Sequence, residues 1–228
     1  MSGSNSNDPD APAALPLPLG RASAAEPFTC LGARVHPGYL DADAQLALLD
    51  ALREAVRDAP LFTPTMPRTG QPFSVRMTNL GPLGWVSDRD GYRYQPTHPE
   101  TGRPWPALPP LLLDAWAALG GYAHPPEACL VNWYAPGARM GLHQDRDEQD
   151  FDAPVVSLSL GDSALFRIGG LKRNDPTRSF RLHSGDAMTL AGEARLAFHG
   201  VDRVIAGTSD LLPQGGRLNL TLRRVTRP

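Results

Sequence analysis

The hydrophobic period of the chain changes about half-way along it. Leu46, Leu49, Leu52 and Val56 recur at helical spacing. Asp41 stands where an N-cap belongs and Pro60 where the helix must stop. A second helix is predicted over Pro109–Leu119, with prolines at its start and Gly120–Gly121 after its end. From Ala128 the pattern shortens to strands. The runs CLVNWY, PVVSLSL, ALFRI, FRLHS, DAMTL, ARLAFHG and RLNLTLRR are separated by turn residues. So many short strands in so short a stretch predict a sandwich or jelly roll. Residues 61–105 differ from both halves. They hold Gly, Pro, Arg and the aromatics Phe73, Trp85, Tyr92, Tyr94 and Trp105, and read as hairpins and loops, a lid or binding surface. The expected organisation is a disordered polar tail at 1–27, helices and lid over 28–127, and a β-core over 128–228. The class is α+β, mainly β.

Composition narrows the partners. A net charge of −2 provides no bulk field for nucleic acid or membrane, so contact with an anion must rest on local basic residues. Few of these look placed to meet phosphates, with Arg93, Lys172 and Arg173 among them. Cys30 and Cys129 form no CxxC pair and no disulfide framework, which suits a reducing cytosol. No basic, then apolar, signal-like start is visible, and the richest apolar stretch, 106–119, is too broken to span a bilayer. A cytoplasmic monomer with no membrane contact is expected.

The chemistry gathers in GLHQDRDE, residues 141–148. On an extended strand, residues i and i+2 share a face, so His143 and Asp145 point the same way. His-x-Asp alone is a weak signal, and a solvated turn explains it as well. A metal needs a third ligand, and His36, His98, His124, His183 and His199 are all candidates. His199 stands out because it ends the strand-like ARLAFHG and precedes a glycine. His183 is the main rival. The plainer account of either is a strand histidine bonded to a carbonyl. Two histidines and a carboxylate on one side of a metal would match the facial triad of non-haem Fe(II) oxygenases.

The last strand adds a second constellation. In RLNLTLR, residues 217–223, Arg217, Asn219, Thr221 and Arg223 line one face and leucines the other. A surface strand would alternate this way too. Arg217 and Arg223 are about 20 Å apart on an ideal strand, too far to grip one carboxylate but within range of the two ends of a dicarboxylate if twist and side-chain length close the gap. Asn132 and Tyr134 also share a face and can add donors.

Taken together these stretches resemble the AlkB family of Fe(II)- and 2-oxoglutarate-dependent nucleic-acid dealkylases, the bacterial members above all. MTNLGPLGW (77–85), GYRY (91–94), RPWPALP (103–109), NWYAPGARMGLHQDRDE (132–148), PVVSLSLG (154–161), FRIGGLKRNDP (166–176), AGEARLAFHG (191–200) and RLNLTLR (217–223) carry the likeness. The resemblance implies a double-stranded β-helix, or jelly roll, with a nucleotide-recognition lid. It implies iron ligands at His143, Asp145 and His199. It implies 2-oxoglutarate contacts at Asn132, Tyr134, Arg217, Asn219 and Arg223. Substrate contacts fall on Met77, Trp85, Tyr92, Arg93, Tyr94, Asp147, Glu148 and Arg173. Trp85 and His143 would sandwich a flipped base, and Asp147 and Glu148 would favour a cationic one. The implied reaction uses Fe(II), 2-oxoglutarate and O2 to hydroxylate an N-alkyl carbon, which leaves as an aldehyde beside succinate. The implied substrates are N1-methyladenine and N3-methylcytosine in DNA, with RNA left open.

The likeness does not reach 1–27, is poor over 60–72, and departs from the bacterial pattern at Leu190, where tryptophan is usual. Two other classes stand beside it: a 2-oxoglutarate oxygenase of protein or small molecules, and a non-catalytic jelly-roll binding module.

Overall fold

The computed structural model describes residues 25–228, so most of the tail expected at 1–27 lies outside the described residues. The described chain opens with a hairpin that the hydrophobic pattern did not announce, β1 (Phe28–Cys30) and β2 (Ala33–His36). Its two turn residues, Leu31 and Gly32, both take positive φ, the geometry a two-residue hairpin turn needs. Helix α1 (Ala42–Asp58) follows, and the Asp41 carboxylate accepts from the Ala44 N–H at 2.8 Å. Next come β3 (Arg76–Leu80), the hairpin β4 (Gly84–Asp88) and β5 (Gly91–Gln95), and α2 (Pro110–Gly120). Gly121, in the left-handed region, ends α2. The remaining strands are β6 (Ala128–Tyr134), β7 (Met140–His143), β8 (Val155–Gly161), β9 (Ser163–Ile168), β10 (Arg178–Leu182), β11 (Ala187–Leu190), β12 (His199–Ile205) and β13 (Arg217–Arg223).

These strands build the expected jelly roll. A seven-stranded sheet runs β1-β2-β11-β8-β13-β6-β3, and a four-stranded sheet runs β10-β9-β12-β7. The hairpin β4-β5 stands apart as a two-stranded sheet. Two apolar clusters explain the layering. One holds Phe166, Ile168, Val155, Met188 and Leu190 within the roll. The other packs Leu48, Leu49 and Leu52 of α1 and Leu112 and Trp116 of α2 on Leu158, Leu220 and Leu222. The helices therefore cover the outer face of the large sheet. The leucines of β13 point at the helices, and its polar residues point into the roll.

Three expectations change. The α1 stripe is Ala44, Leu48, Leu49, Leu52 and Ala55, while Leu46 is exposed. Docking on the sheet selects the face, and a spacing of three or four residues fits more than one. ARLAFHG is not a strand ending at His199. A 3-10 turn occupies Gly192–Ala194, and β12 begins at His199. The carbonyls of Leu196 and Ala197 are taken by side chains, Gln144 and His199, rather than by a sheet ladder. Finally, the boundary at residue 128 runs through one sheet, because β2 and β3 pair with strands that follow it.

Candidate active site

β7 ends at His143, opposite His199 at the start of β12. This register brings together side chains that are far apart in sequence. The His143 and His199 rings lie 4.6 Å apart. Asp145 follows in a segment that is not strand, with carboxylate oxygens 3.8 Å from the Nε2 atoms of both histidines. One ligand atom from each of the three lies within 4.8 Å of the others. The opposite ring nitrogens are tied down. Nδ1 of His143 meets the Gly141 carbonyl at 2.9 Å, and Nδ1 of His199 meets the Ala197 carbonyl at 2.9 Å. A carbonyl only accepts, so Nδ1 holds the proton and Nε2 keeps its lone pair for a metal. Burial pushes His199 down to about 4, against the pull of Asp145. Burial also opposes the charge on Asp145, but Arg223, His199 and His143 outweigh it and hold the carboxyl well below the usual carboxylate range. A neutral imidazole and an ionised carboxylate are the forms that bind a divalent metal.

The rivals do not converge on this centre. His183 meets the Ser163 hydroxyl at 3.0 Å, and His98 is buried against the Pro60 carbonyl at 2.8 Å. His183 thus meets a hydroxyl rather than the expected carbonyl, and neither histidine belongs to the cluster.

The triad opens into a cavity of about 780 Å³ within the roll. Its floor includes Asn132, Tyr134, Arg217, Asn219, Thr221 and Arg223. Arg217 and Arg223 are 1% and 6% exposed, so the alternation in β13 is not that of a surface strand. Arg217 donates to the Ser159 hydroxyl at 2.6 Å and reaches two carbonyls at 3.4 Å. Arg223 pairs with Asp145 at 2.8 Å. Asn132 Oδ1, Arg217 Nε and Arg223 Nε are buried without a hydrogen-bond partner. Buried polar atoms are rarely left so, and here they line one cavity. A buried cation with only neutral partners, Arg217, beside an open amide suits a carboxylate of an anionic ligand, and Arg223, shared with Asp145, lies at the other end of the same face.

The substrate-side residues divide. Met77, Trp85, Tyr92, His143, Asp147 and Arg173 all line the cavity. Trp85 stacks on Tyr92 with ring centres 5.5 Å apart, and its indole N–H donates to Asp147 at 2.7 Å. Asp147 thus faces the lid, although the strand expected to carry it there stops at His143. Arg173 donates to the Leu142 carbonyl at 3.0 Å. The other three are engaged by protein partners. Arg93 is clamped by Asp88 at 2.8 Å through both terminal nitrogens. The Tyr94 hydroxyl donates to Glu148 at 2.5 Å and accepts from Arg223 at 3.2 Å. Glu148 borders the cavity, but it also pairs with Arg195 at 3.1 Å, and its charge is spent inside the network. Burial, with Glu148 nearby, keeps the Tyr94 phenol well above its ordinary range. Arg93 and Tyr94 are not among the residues that line the cavity.

Two residues of this site carried no signal in the sequence. Arg195, 2% exposed, donates to the Asp145 and Ala153 carbonyls at 2.7 and 2.9 Å and so fixes the backbone of a candidate ligand. Asn79 brackets Trp85, accepting from its N–H and donating to its carbonyl, both at 3.0 Å. Each looks ordinary in its own segment, and only the fold shows what it touches.

A sequence profile described as the 2OG-Fe(II) oxygenase superfamily matches residues 32–223. The alpha-ketoglutarate-dependent dioxygenase AlkB homolog of Caulobacter vibrioides is 59% identical over 201 residues, 88% of this chain and 91% of that protein. The chain belongs to the AlkB family. AlkB of Escherichia coli is 48% identical over 159 residues, covering 68% of this chain and 73% of its own. The solved structure of OsALKBH1 superposes with a TM-score of 0.71 at 30% identity, covering 86% of this chain and 98% of that one. As an AlkB-type dioxygenase the protein uses Fe(II), 2-oxoglutarate and O2. The donor set fits them: two imidazoles with free Nε2 atoms and one carboxylate for iron, and a cationic floor for a dicarboxylate.

Proposed function

We propose that this AlkB-family enzyme removes N-alkyl groups oxidatively from nucleic-acid bases, with N1-methyladenine and N3-methylcytosine in DNA as substrates and formaldehyde and succinate as products. The observation that carries this reading is the placement of Trp85, Tyr92 and Asp147 on the same cavity as the His143–Asp145–His199 cluster. His143, Asp145 and His199 would hold the iron, which supplies the oxidising power when bound. Arg217, Asn132 and Tyr134 would orient 2-oxoglutarate. Trp85, held by Asn79 and Asp147, offers a flat face to a base taken out of its stack. The Asp147 carboxylate lends its charge to a cationic ring, and Arg173 stands at the cavity wall for the flanking strand. Relatives named for nucleic-acid dioxygenase and DNA demethylase activity support the same reading.

The two cysteines are free, which fits work in a reducing cytosol. Among the described residues no helix is long and apolar enough to cross a membrane. The test is mass spectrometry of methylated oligonucleotides incubated with protein, Fe(II), 2-oxoglutarate and ascorbate. Loss of one methylene equivalent from N1-methyladenine and N3-methylcytosine, with matching formaldehyde and succinate, is expected. Succinate formation on a protein or small molecule, with no oligonucleotide change, would replace the reading.

A further inference from the structure

The outer face of the four-stranded sheet carries a row of arginines that the active site does not use. In β9, Phe166 and Ile168 are buried inward, which leaves Leu165 and Arg167 outward. The strand register then fixes the rest. Arg203 of β12 lies opposite Leu165, and Leu165 lies opposite Arg181 of β10. Strands lie about 4.8 Å apart, so Arg181 and Arg203 stand about 10 Å apart across the sheet. A register shift between Val201 and Arg203 shapes this face. It inserts Asp202, so that Val201 still points inward while Asp202 and Arg203 are available outside. Asp202 takes Arg167, with nitrogen to oxygen distances of 3.0 and 2.5 Å. Among the described residues, the side chains of Arg139, Arg181 and Arg203 make no ion pair or hydrogen bond.

This face is continuous with the active site. A groove of about 550 Å³ is lined by Arg139, Arg167 and Arg203 against a single carboxylate, Asp202. Arg139, Met140, Gly141, Leu142, Gly200 and Val201 line both this groove and the active-site cavity. Ordinary solvated surfaces mix the two signs of charge. Here the positive charges are in excess on a chain whose net charge is −2, and the excess lies beside the cavity mouth.

We propose that this sheet face is a track for the phosphodiester backbone of the strand that flanks the target base, with Arg139, Arg203 and Arg181 as successive phosphate contacts. The proposal rests on the nucleic-acid substrate proposed above. It replaces the expectation that few basic residues meet phosphates: beside Arg93, which pairs with Asp88 at the surface, the four-stranded sheet adds a basic face of its own. Arginine suits the role because its planar fork matches phosphate oxygens.

The test uses the full chain with Arg181→Ala and Arg203→Ala combined, neither residue lining the active-site cavity. Anisotropy of a fluorescein-labelled, unmethylated single-stranded oligonucleotide is measured across a salt series. Two lost contacts should lower the slope of log affinity against log salt by about 1.4, at about 0.7 per single-strand phosphate. Turnover of a methylated trinucleotide, too short to reach the track, should match wild type, while turnover of a long methylated oligonucleotide at limiting concentration falls. Arg181→Lys with Arg203→Lys should restore the slope. An unchanged slope in the alanine pair would overturn the proposal and make this a solvated face. A fall in trinucleotide turnover equal to that of the long substrate would also overturn it. The binding measurement needs no demethylation, so a lowered slope without turnover on any methylated base would uphold the track and refute the proposed reaction.

Discussion

Arg217 and Arg223 occupy opposite ends of one face of β13, both buried, and their surroundings are opposite in character. Arg223 is set among acids: Asp145 at 2.8 Å, Glu148 at 3.5 Å and the Tyr94 hydroxyl at 3.2 Å. Burial alone would weaken its charge, but Asp145 and its neighbours hold it well above its ordinary range. Arg217 has only neutral partners within hydrogen-bonding distance, a hydroxyl and two carbonyls. Burial pushes it down to about 10. One arginine is thus neutralised by carboxylates of the protein, while the other has hydrogen bonds but no ion pair among the described residues. Two residues that look alike in RLNLTLR have different surroundings: Arg223 pairs with the carboxylate of a candidate metal ligand, and Arg217 is the arginine that we propose for a carboxylate of 2-oxoglutarate.

The largest effect should come from the centre that Arg223 supports. His199→Ala, Asp145→Ala and His143→Ala should each abolish succinate and formaldehyde production, while His183→Ala stays near wild type. Full turnover in the His199→Ala protein would remove the triad from the reaction. Next in size is the contrast between the arginines themselves. Arg223→Ala strands Asp145 and part of Glu148 as buried charges, and breaking such a pair costs about 3–5 kcal/mol. Urea unfolding of the metal-free protein should show that loss. Arg217→Met should show little loss or a gain, because it removes a buried cation without a carboxylate partner. Equal destabilisation would erase the distinction.

The co-substrate then sharpens it. Arg217→Met removes a charge-assisted contact of about 1.5–3 kcal/mol, so half-maximal turnover should need roughly 10–100-fold more 2-oxoglutarate. An unchanged requirement would place the dicarboxylate elsewhere. The smallest effect belongs to Asp147, at the lid end of the cavity. Asp147→Asn keeps an oxygen for the Trp85 N–H but removes the charge. At about 5 Å and an effective dielectric near 20 the raw attraction is roughly 3 kcal/mol. Water and salt reduce this to about 1 kcal/mol, some fivefold in the kcat/KM ratio of N3-methylcytosine over a neutral adduct such as N1-methylguanine. Equal losses on both substrates would leave Asp147 as a support for Trp85 alone.

The chemistry was more legible than the geometry. His143 and Asp145 could be read from HQD because the argument needed only that two neighbours meet one centre. They do so, although the strand ends at His143 and its alternation does not extend to Asp145. His199 could be singled out, yet for a strand it begins rather than ends. Leu46 was misplaced because a leucine-rich helix offers more than one apolar stripe, and the sheet beneath α1 makes the choice. The pairing of Tyr94 with Glu148 was not legible, since nothing local shows that a phenol and a carboxylate distant in sequence will meet at 2.5 Å.

What the sequence determined by itself is therefore the set of donors and the periodicities: two histidines and a carboxylate for a metal, a strand with one polar face, and a run of short strands fit for a roll. Those follow from residue types and from distances along the chain, which local physics controls. The tertiary structure decided which way each face points. β13 turns its arginines into the roll because the helices cover the leucines on its other side. It also decided which charges are spent. Glu148 and Arg223 find partners across the fold, while Arg139, Arg181 and Arg203 are left exposed. Charge pairing between distant segments depends on strand register, and register is a property of the whole sheet rather than of any one stretch of it.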